Sequence, residues 1–193
     1  MSTVRTPAQT EIARFWFEGP GNWNTIARAV GAGRKLDAHD SARLLALMNL
    51  AMADSYIAGW KIRYVYDSWR PVTAIREGDN DGNDATAGDP NWDSLQNTPS
   101  VSDYPSTQSM FSAAAAVVLA SILGDQGTFT ATRGKPFEGI TRSFSSFSQA
   151  ARESADSRVY AGIHFRSACE DGLAAGRKIG QRTVALYLQP VRK

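Results

Sequence analysis

Ser157-Arg158-Val159-Tyr160-Ala161-Gly162-Ile163-His164-Phe165-Arg166 places an arginine six residues before one of only two histidines in a chain of 193 residues. On one continuous helix a spacing of six leaves two side chains on different faces. Gly162 allows a break between them, so that Arg158 closes one element and His164 opens the next. A histidine in the first turn of a helix sits beside free backbone N–H groups and a positive dipole end, where an anion is favoured. For this stretch to form an oxyanion site, two other segments have to converge on it, residues 63–71 and residues 104–109.

The first of these carries Arg63 and Arg70, seven apart. On a helix that spacing puts both on one face, about 10.5 Å apart along the axis. Trp60, Tyr64, Tyr66 and Trp69 make the surroundings apolar, and arginines in apolar surroundings need a partner. A planar guanidinium suits an oxyanion held through two parallel bonds. The second segment, Tyr104-Pro105-Ser106-Thr107-Gln108-Ser109, opens an alanine-rich run. Its small hydroxyl residues would cap a helix and present orphan N–H donors at one point.

The rest of the chain reads as helical. Thr6-Pro7 with Gln9, Ile12, Phe15 and Trp16 is a capped helix start that Gly19-Pro20-Gly21 ends. Residues 22–30 form a short helix stopped by Gly31 and Gly33. Asp37 or Asp40 caps a long helix with Leu44, Leu47, Met48, Ala51, Met52, Ser55, Tyr56, Gly59 and Arg63 on one face. Leu45, Leu50 and Ile57 fill its other faces, which implies burial on most sides, and Pro71 ends or kinks it. Residues 77–99 are a long polar loop, of the kind that is often functional. Residues 106–123 form a strong helix whose Ala113, Ala114, Ala115 and Ala116 let a neighbouring backbone approach closely. Residues 124–139 form a second loop with a weak strand candidate at 127–132. Residues 144–157 and 165–188 are the last two helices, the latter with Leu173, Gly176, Ile179, Val184 and Tyr187 on one face and Pro190 beyond it. The expected fold is all-α, a compact bundle of five to seven helices in one domain, 1–193, with the oxyanion site at converging helix ends.

Composition sets bounds on function. Hydrophobic residues at 42% and charged residues at 21% are ordinary for a globular domain. A net charge of +2 with scattered basic residues implies no nucleic-acid partner. Cys169 is the single cysteine, so neither an internal disulfide nor a thiolate metal cluster is available. The start, Met1-Ser2-Thr3-Val4-Arg5-Thr6-Pro7, lacks an apolar signal region. No run reaches the roughly 20 apolar residues of a membrane span. These features lead to the expectation of a cytoplasmic protein.

Taken together, the three segments resemble the signature of the vanadium-dependent haloperoxidases and the type 2 phosphatidic acid phosphatase superfamily. That signature is Lys-x6-Arg-Pro, then Ser-Gly-His or Ser-Thr-His, then Arg-x5-His. Here the order is Arg63-x6-Arg70-Pro71, Ser106-Thr107-Gln108 and Arg158-x5-His164. Trp69-Arg70-Pro71-Val72-Thr73-Ala74-Ile75-Arg76, Gly78-Asp79-Asn80-Asp81-Gly82-Asn83, Asp103-Tyr104-Pro105-Ser106 and Ala161-Gly162-Ile163-His164-Phe165-Arg166 look like the bacterial haloperoxidase-like branch. The resemblance runs over residues 6–188.

It implies that Arg70 and Arg158 clamp the oxygens of vanadate or phosphate, with Ser106 and the Thr107 backbone N–H donating to them. His164 is then the apical vanadium ligand of a haloperoxidase or the nucleophile of a phosphatase. Arg63 stands in place of a lysine and keeps its charge, but a planar fork replaces a point donor. Gln108 stands in place of the acid–base histidine, and an amide cannot exchange a proton near neutral pH. Three functions follow. The first is peroxide-dependent halide oxidation weakened at Gln108. The second is phosphate-ester hydrolysis at His164. The third is oxyanion binding in a family member without turnover or recruited to non-redox chemistry. Small-molecule partners, peroxide and halide among them, go with the first. The chain lacks the further N-terminal helical part of larger members, which implies a more open site or one completed by a second subunit in a homo-oligomer.

His39 reads as a surface residue near a helix start. Asp79-Asn80-Asp81-Gly82-Asn83-Asp84 resembles a calcium loop without its closing glutamate and reads as a polar turn. Trp16, Trp23, Trp60, Trp69 and Trp92 read as core and rim packing. Glu153, Asp156, Glu170 and Asp171 read as solvated helix faces.

Overall fold

Why the chain folds around one buried helix follows from where its small residues lie. The computed structural model describes residues 4–17 and 19–189. Residues 1–3 of the N-terminal stretch, and Pro190, lie outside the described residues. The elements are α1 (Pro7–Phe15), α2 (Gly21–Gly33), α3 (Ala38–Tyr66), α4 (Pro71–Arg76), α5 (Thr107–Leu123), β1 (Phe129–Thr132), β2 (Thr141–Phe144), α6 (Phe147–Tyr160) and α7 (Arg166–Leu186), with a 3-10 turn at Gly78–Asn80. The class is all-α, as expected, with one antiparallel hairpin that pairs Phe129 with Phe144. No helix of the described residues is long and apolar enough to cross a membrane.

α5 is the axis, packed against α3, α6 and α7. Its residues 109–116 are all buried. The close approach expected from its alanines is made by glycines on the facing helix. A Cβ built on Gly176 would stand 2.0 Å from the Met110 carbonyl oxygen, and one on Gly180 2.8 Å from that of Ala114. The buried residues of α7 are Ala168, Cys169, Gly172, Leu173, Gly176, Gly180 and Thr183. Of the face expected from periodicity, Leu173 and Gly176 are buried while Tyr187 is exposed. Around this seam lie Phe15, Trp16, Trp23, Leu44, Leu47, Met48, Phe111, Leu119 and Phe147. Each fully buried tryptophan removes on the order of 200 Å² from water, roughly 5 kcal/mol of transfer free energy at about 25 cal/mol per Å².

Local signals place the helix starts. Thr6 and Gln9 form a reciprocal capping box on α1, and Asp37 caps α3 by accepting from the Asp40 N–H. Several expectations need correction. Gly31 does not stop α2, which runs on to end at Gly33; Gly31 packs within 3.5 Å of Leu36. α3 is buried along one face only, because Leu50 and Ile57 point outward. It ends at Tyr66, five residues before Pro71, with Asp67 in the left-handed conformation. Arg63 and Arg70 are therefore not on one helix. The segment 141–144, expected partly as helix, is β2, and Ser146 caps the shorter α6.

The remaining readings are settled by side-chain partners. Asp79 accepts from the Gly88 N–H and Asp81 from the Asn83 N–H and Thr86 hydroxyl, so the acidic turn is tied to its own loop. His39 is exposed. Glu153 is no solvated face: it takes both ends of Arg142 at 2.6 and 2.7 Å and the Trp16 indole N–H at 3.0 Å. This clamps β2, α6 and α1 together. Asp156 and Glu170 hold Arg166 and Arg152, and Asp171 accepts from the Tyr104 hydroxyl.

Candidate oxyanion site

The three segments do meet, each delivered by a helix end. Arg63 is the buried last-turn residue of α3, and Arg70 is the N-cap of α4. Ser106 is the N-cap of α5, with its backbone N–H bound to the Ala168 carbonyl at 3.0 Å. Arg158 lies in the last turn of α6. Gly162, at φ +75, turns the chain toward α7 in a conformation that glycine adopts without strain. His164 sits one residue before the N-cap Phe165, not inside the first helical turn. Arg63, Arg70, Ser106, Thr107, Arg158 and His164 are all buried.

One contact fixes the state of the histidine. Arg70 Nη1 lies 3.1 Å from His164 Nε2, and a guanidinium has only donors. Nε2 therefore accepts, and the ring proton is on Nδ1. Nδ1 faces the Asp103 carboxylate, with Oδ1 at 2.8 Å, a close approach but a poorly aligned one for a ring N–H. Burial, reinforced by the charges of Arg70, Arg158 and Arg63, pushes the imidazole well below its ordinary range. The result is a neutral histidine with its Nε2 lone pair turned to Arg70.

Positive charge exceeds negative in this pocket. Asp103 lies 3.9 Å from Arg70, and burial outweighs that cation and raises the carboxyl to about 6. Burial, then the charge of Arg63, pushes Arg70 down to about 10, and burial pushes Arg158 down to about 10 as well. Arg63 is lowered by burial too. All three remain cations at neutral pH. Among the described residues no carboxylate lies within ion-pair distance of Arg63 or Arg158.

The donors are also under-used. Arg70 spends Nε on the Val101 carbonyl at 2.8 Å and Nη1 on the Ile163 carbonyl at 2.7 Å. Arg70 Nη2 and Arg158 Nε and Nη1 are buried without a hydrogen-bond partner. Buried unpaired donors are costly, and a tetrahedral or trigonal oxyanion is the partner that would satisfy several at once. The residues present thus fit an oxyanion bound beside His164. Thr107, first residue of α5, would offer it an orphan backbone N–H. Its hydroxyl packs instead against Gly59, where an added Cβ would stand 3.0 Å away. Ser106 accepts from the Ser109 N–H and hydroxyl, which leaves its own proton to donate.

Gln108 has hydrogen-bond partners outside this group. Its amide donates to the Trp16 carbonyl at 2.8 Å and to Ser154 Oγ at 3.4 Å, one turn along α6 from Arg158. The site also contains residues that the motif reading did not assign. Asp103 supplies the carboxylate facing His164, and Cys169 lies behind Ser106 and Ser109 with burial pushing its thiol up to about 11. Asp103 stands beside Tyr104-Pro105-Ser106, and that adjacency was the available signal.

The fold and this pocket define a helical bundle whose helix termini gather buried cations around a neutral imidazole. The family described as the VCPO second helical-bundle domain matches residues 43–193, and the chain belongs to it. The vanadium chloroperoxidase of Curvularia inaequalis is 32% identical over 108 residues, 47% of this chain and 17% of that protein. The solved structure of a bacterial vanadium-dependent iodoperoxidase is 33% identical with a TM-score of 0.81, covering 92% of this chain and 43% of its own. A holo-type bacterial vanadium-dependent chloroperoxidase shares the fold at 20% identity and a TM-score of 0.75, over 94% of this chain and 44% of its own. The chain therefore spans less than half the length of these relatives.

Proposed function

We propose that this chain is a vanadium haloperoxidase-type oxidoreductase that binds vanadate at His164 Nε2. The observation that carries the reading is the set of buried donors without partners, Arg70 Nη2 and Arg158 Nε and Nη1, gathered around an imidazole whose Nε2 is unprotonated. Arg70 and Arg158 would hold oxygens of the anion, with the Ser106 hydroxyl and the Thr107 N–H. When bound, vanadate supplies the Lewis acidity that activates hydrogen peroxide for oxidation of a halide. Arg63 contributes a fixed positive charge at the edge of the pocket. The Asp103 carboxylate facing Nδ1 favours the tautomer that leaves Nε2 available as a ligand.

The weak link in turnover is Gln108. Its amide is committed to the Trp16 carbonyl and Ser154 and has no proton to exchange. Binding and turnover are thereby separated: the pocket holds its anion while the protonation step lacks its acid. A second reading, phosphate-ester hydrolysis, is favoured by the Asp103–His164 pair. A neutral imidazole with a carboxylate at Nδ1 is the arrangement a nucleophilic nitrogen needs. Anion binding without turnover is the limiting case of both.

Calorimetric titration with orthovanadate, with phosphate as competitor, tests the reading. The expected result is saturable 1:1 binding that His164→Ala abolishes. Peroxide-dependent bromination should be slow and rise by about 10²–10⁴ in Gln108→His. Absence of vanadate binding overturns the proposal. Release of phosphate from an aryl ester without bromination moves the assignment to hydrolysis.

A further inference from the structure

Next to the oxyanion pocket the surface opens into a cleft of about 410 Å³, lined by Trp60, Arg63, Tyr64, Asp67, Ser100, Val101 and Ser102. That volume lies within the range of small-molecule sites and accommodates one or two fused rings. The cleft and the pocket share a wall. Arg63 lines the cleft while its Nε and Nη2 hold the Pro105 carbonyl at 3.3 and 3.2 Å, directly before Ser106. The carbonyl of Val101, also in the lining, anchors Arg70 Nε.

Two features suit an aromatic guest. Trp60 and Tyr64 form one side, their ring centroids 6.4 Å apart, with 41% and 82% of their surfaces exposed. Exposed aromatics one helical turn apart leave apolar faces in water that a flat ring would cover. The Arg63 guanidinium lies 5.7 Å over the Trp60 ring, which holds that ring in one orientation and reduces the ordering cost of binding. The other side is the backbone of residues 100–102, with Ser102 tied by its hydroxyl to the Arg63 carbonyl at 3.2 Å. The charge is asymmetric as well. Arg63 is buried, while Asp67 is exposed at the rim, where water screens it.

We propose that this cleft binds a planar aromatic carboxylate of one or two rings, its ring against Trp60 and Tyr64 and its carboxylate toward Arg63. A guest seated there lies beside the oxyanion pocket without occupying it. Binding of such a ring does not depend on vanadate, so the inference stands or falls separately from the proposed function.

The probe is 2-naphthoate, titrated by calorimetry into the full chain held in saturating phosphate. The expected result is saturable binding that weakens at least tenfold in Trp60→Ala and several-fold in Tyr64→Ala. Cyclohexanecarboxylate, with the charge but no π face, should bind at least tenfold more weakly than naphthoate. Both substituted side chains are substantially exposed, and an unchanged thermal midpoint establishes that the variants are folded. No saturable binding overturns the proposal, as does binding that Trp60→Ala leaves unaltered. Complete displacement of naphthoate by phosphate also overturns it, because the carboxylate would then be sitting in the oxyanion pocket. Orthovanadate binding without naphthoate binding overturns this inference alone. Naphthoate binding without orthovanadate binding overturns the proposed function and leaves the cleft in place.

Discussion

The helices α5 and α7 share one seam, and its two ends are built on opposite principles. From the first turn of α5 onward and through the middle of α7 the helices are pressed together backbone to backbone, with Gly176 against Met110 and Gly180 against Ala114. No charge is buried there, and the contact is pure packing. At their N-terminal ends the two backbones still touch, Ser106 N–H to the Ala168 carbonyl, but three buried arginines, an aspartate and a histidine gather beside them. There the packing is loose in chemical terms, because donors lack partners and the charges do not cancel. One end stabilises the bundle. The other costs stability and gathers the candidate site. Such local conflict between satisfaction and burial is what functional sites show.

The comparison breaks first at Gly176. Gly176→Ala places a methyl group 2.0 Å from a backbone oxygen that cannot move without shifting α5. A loss of at least about 3 kcal/mol in urea unfolding is expected. A loss below about 1 kcal/mol would mean the seam is plastic and the contrast false.

The second test is at the other end. Arg158→Met removes a buried charge that has no carboxylate partner and replaces it with an apolar chain of similar length. Stability should stay level or rise, by up to about 4 kcal/mol, while orthovanadate or phosphate affinity falls about tenfold to a hundredfold. Parallel loss of stability and binding would show that Arg158 is a structural residue rather than an anion ligand.

The smallest effect sharpens the charge balance. Asp103 has its carboxyl raised to about 6 by burial, and it is the negative charge facing the arginines. As pH falls from 7 to 5 it takes up a proton, the pocket becomes more positive, and affinity for a fixed-charge anion such as sulfate should rise about tenfold. His164 is held well below its usual range by burial and by the charges of Arg70, Arg158 and Arg63. Asp103→Asn should bind sulfate at pH 7 as the unaltered protein does at pH 5, with a flat profile between. A pH dependence that survives the substitution would assign the titration to another group.

Much of this arrangement was legible before any coordinates. The capping signals at Thr6, Asp37 and Ser106, the one-faced stripe from Leu44 to Arg63 and the break at Gly162 are local features, set by the chemistry of a few consecutive residues. They located the helix ends, and the helix ends carry the site. What local signals misjudged was burial. Leu50 and Ile57 are apolar and exposed, because burial depends on what lies opposite, and Tyr187, expected on the face of Gly176, lies past the end of α7 in extended backbone. The weakness of β2 as a signal has a similar cause: Thr141-Arg142-Ser143-Phe144 becomes a strand only because β1 is there to pair with it.

The sequence by itself determined the class of fold, the order of the helices and the three segments that supply Arg63, Arg70, Ser106, Thr107, Arg158 and His164. It also determined that an amide stands at position 108. Only the tertiary structure decided that Arg70 donates to His164 Nε2 while Asp103 faces Nδ1, that Gln108 turns to Trp16 and Ser154, and that an aromatic cleft shares Arg63 with the pocket. The physical reason is range. Caps and helix faces are interactions over three or four residues, whereas a tautomer, a buried charge balance and a cleft wall depend on distances between residues about thirty to ninety-five positions apart, which only the packed bundle sets.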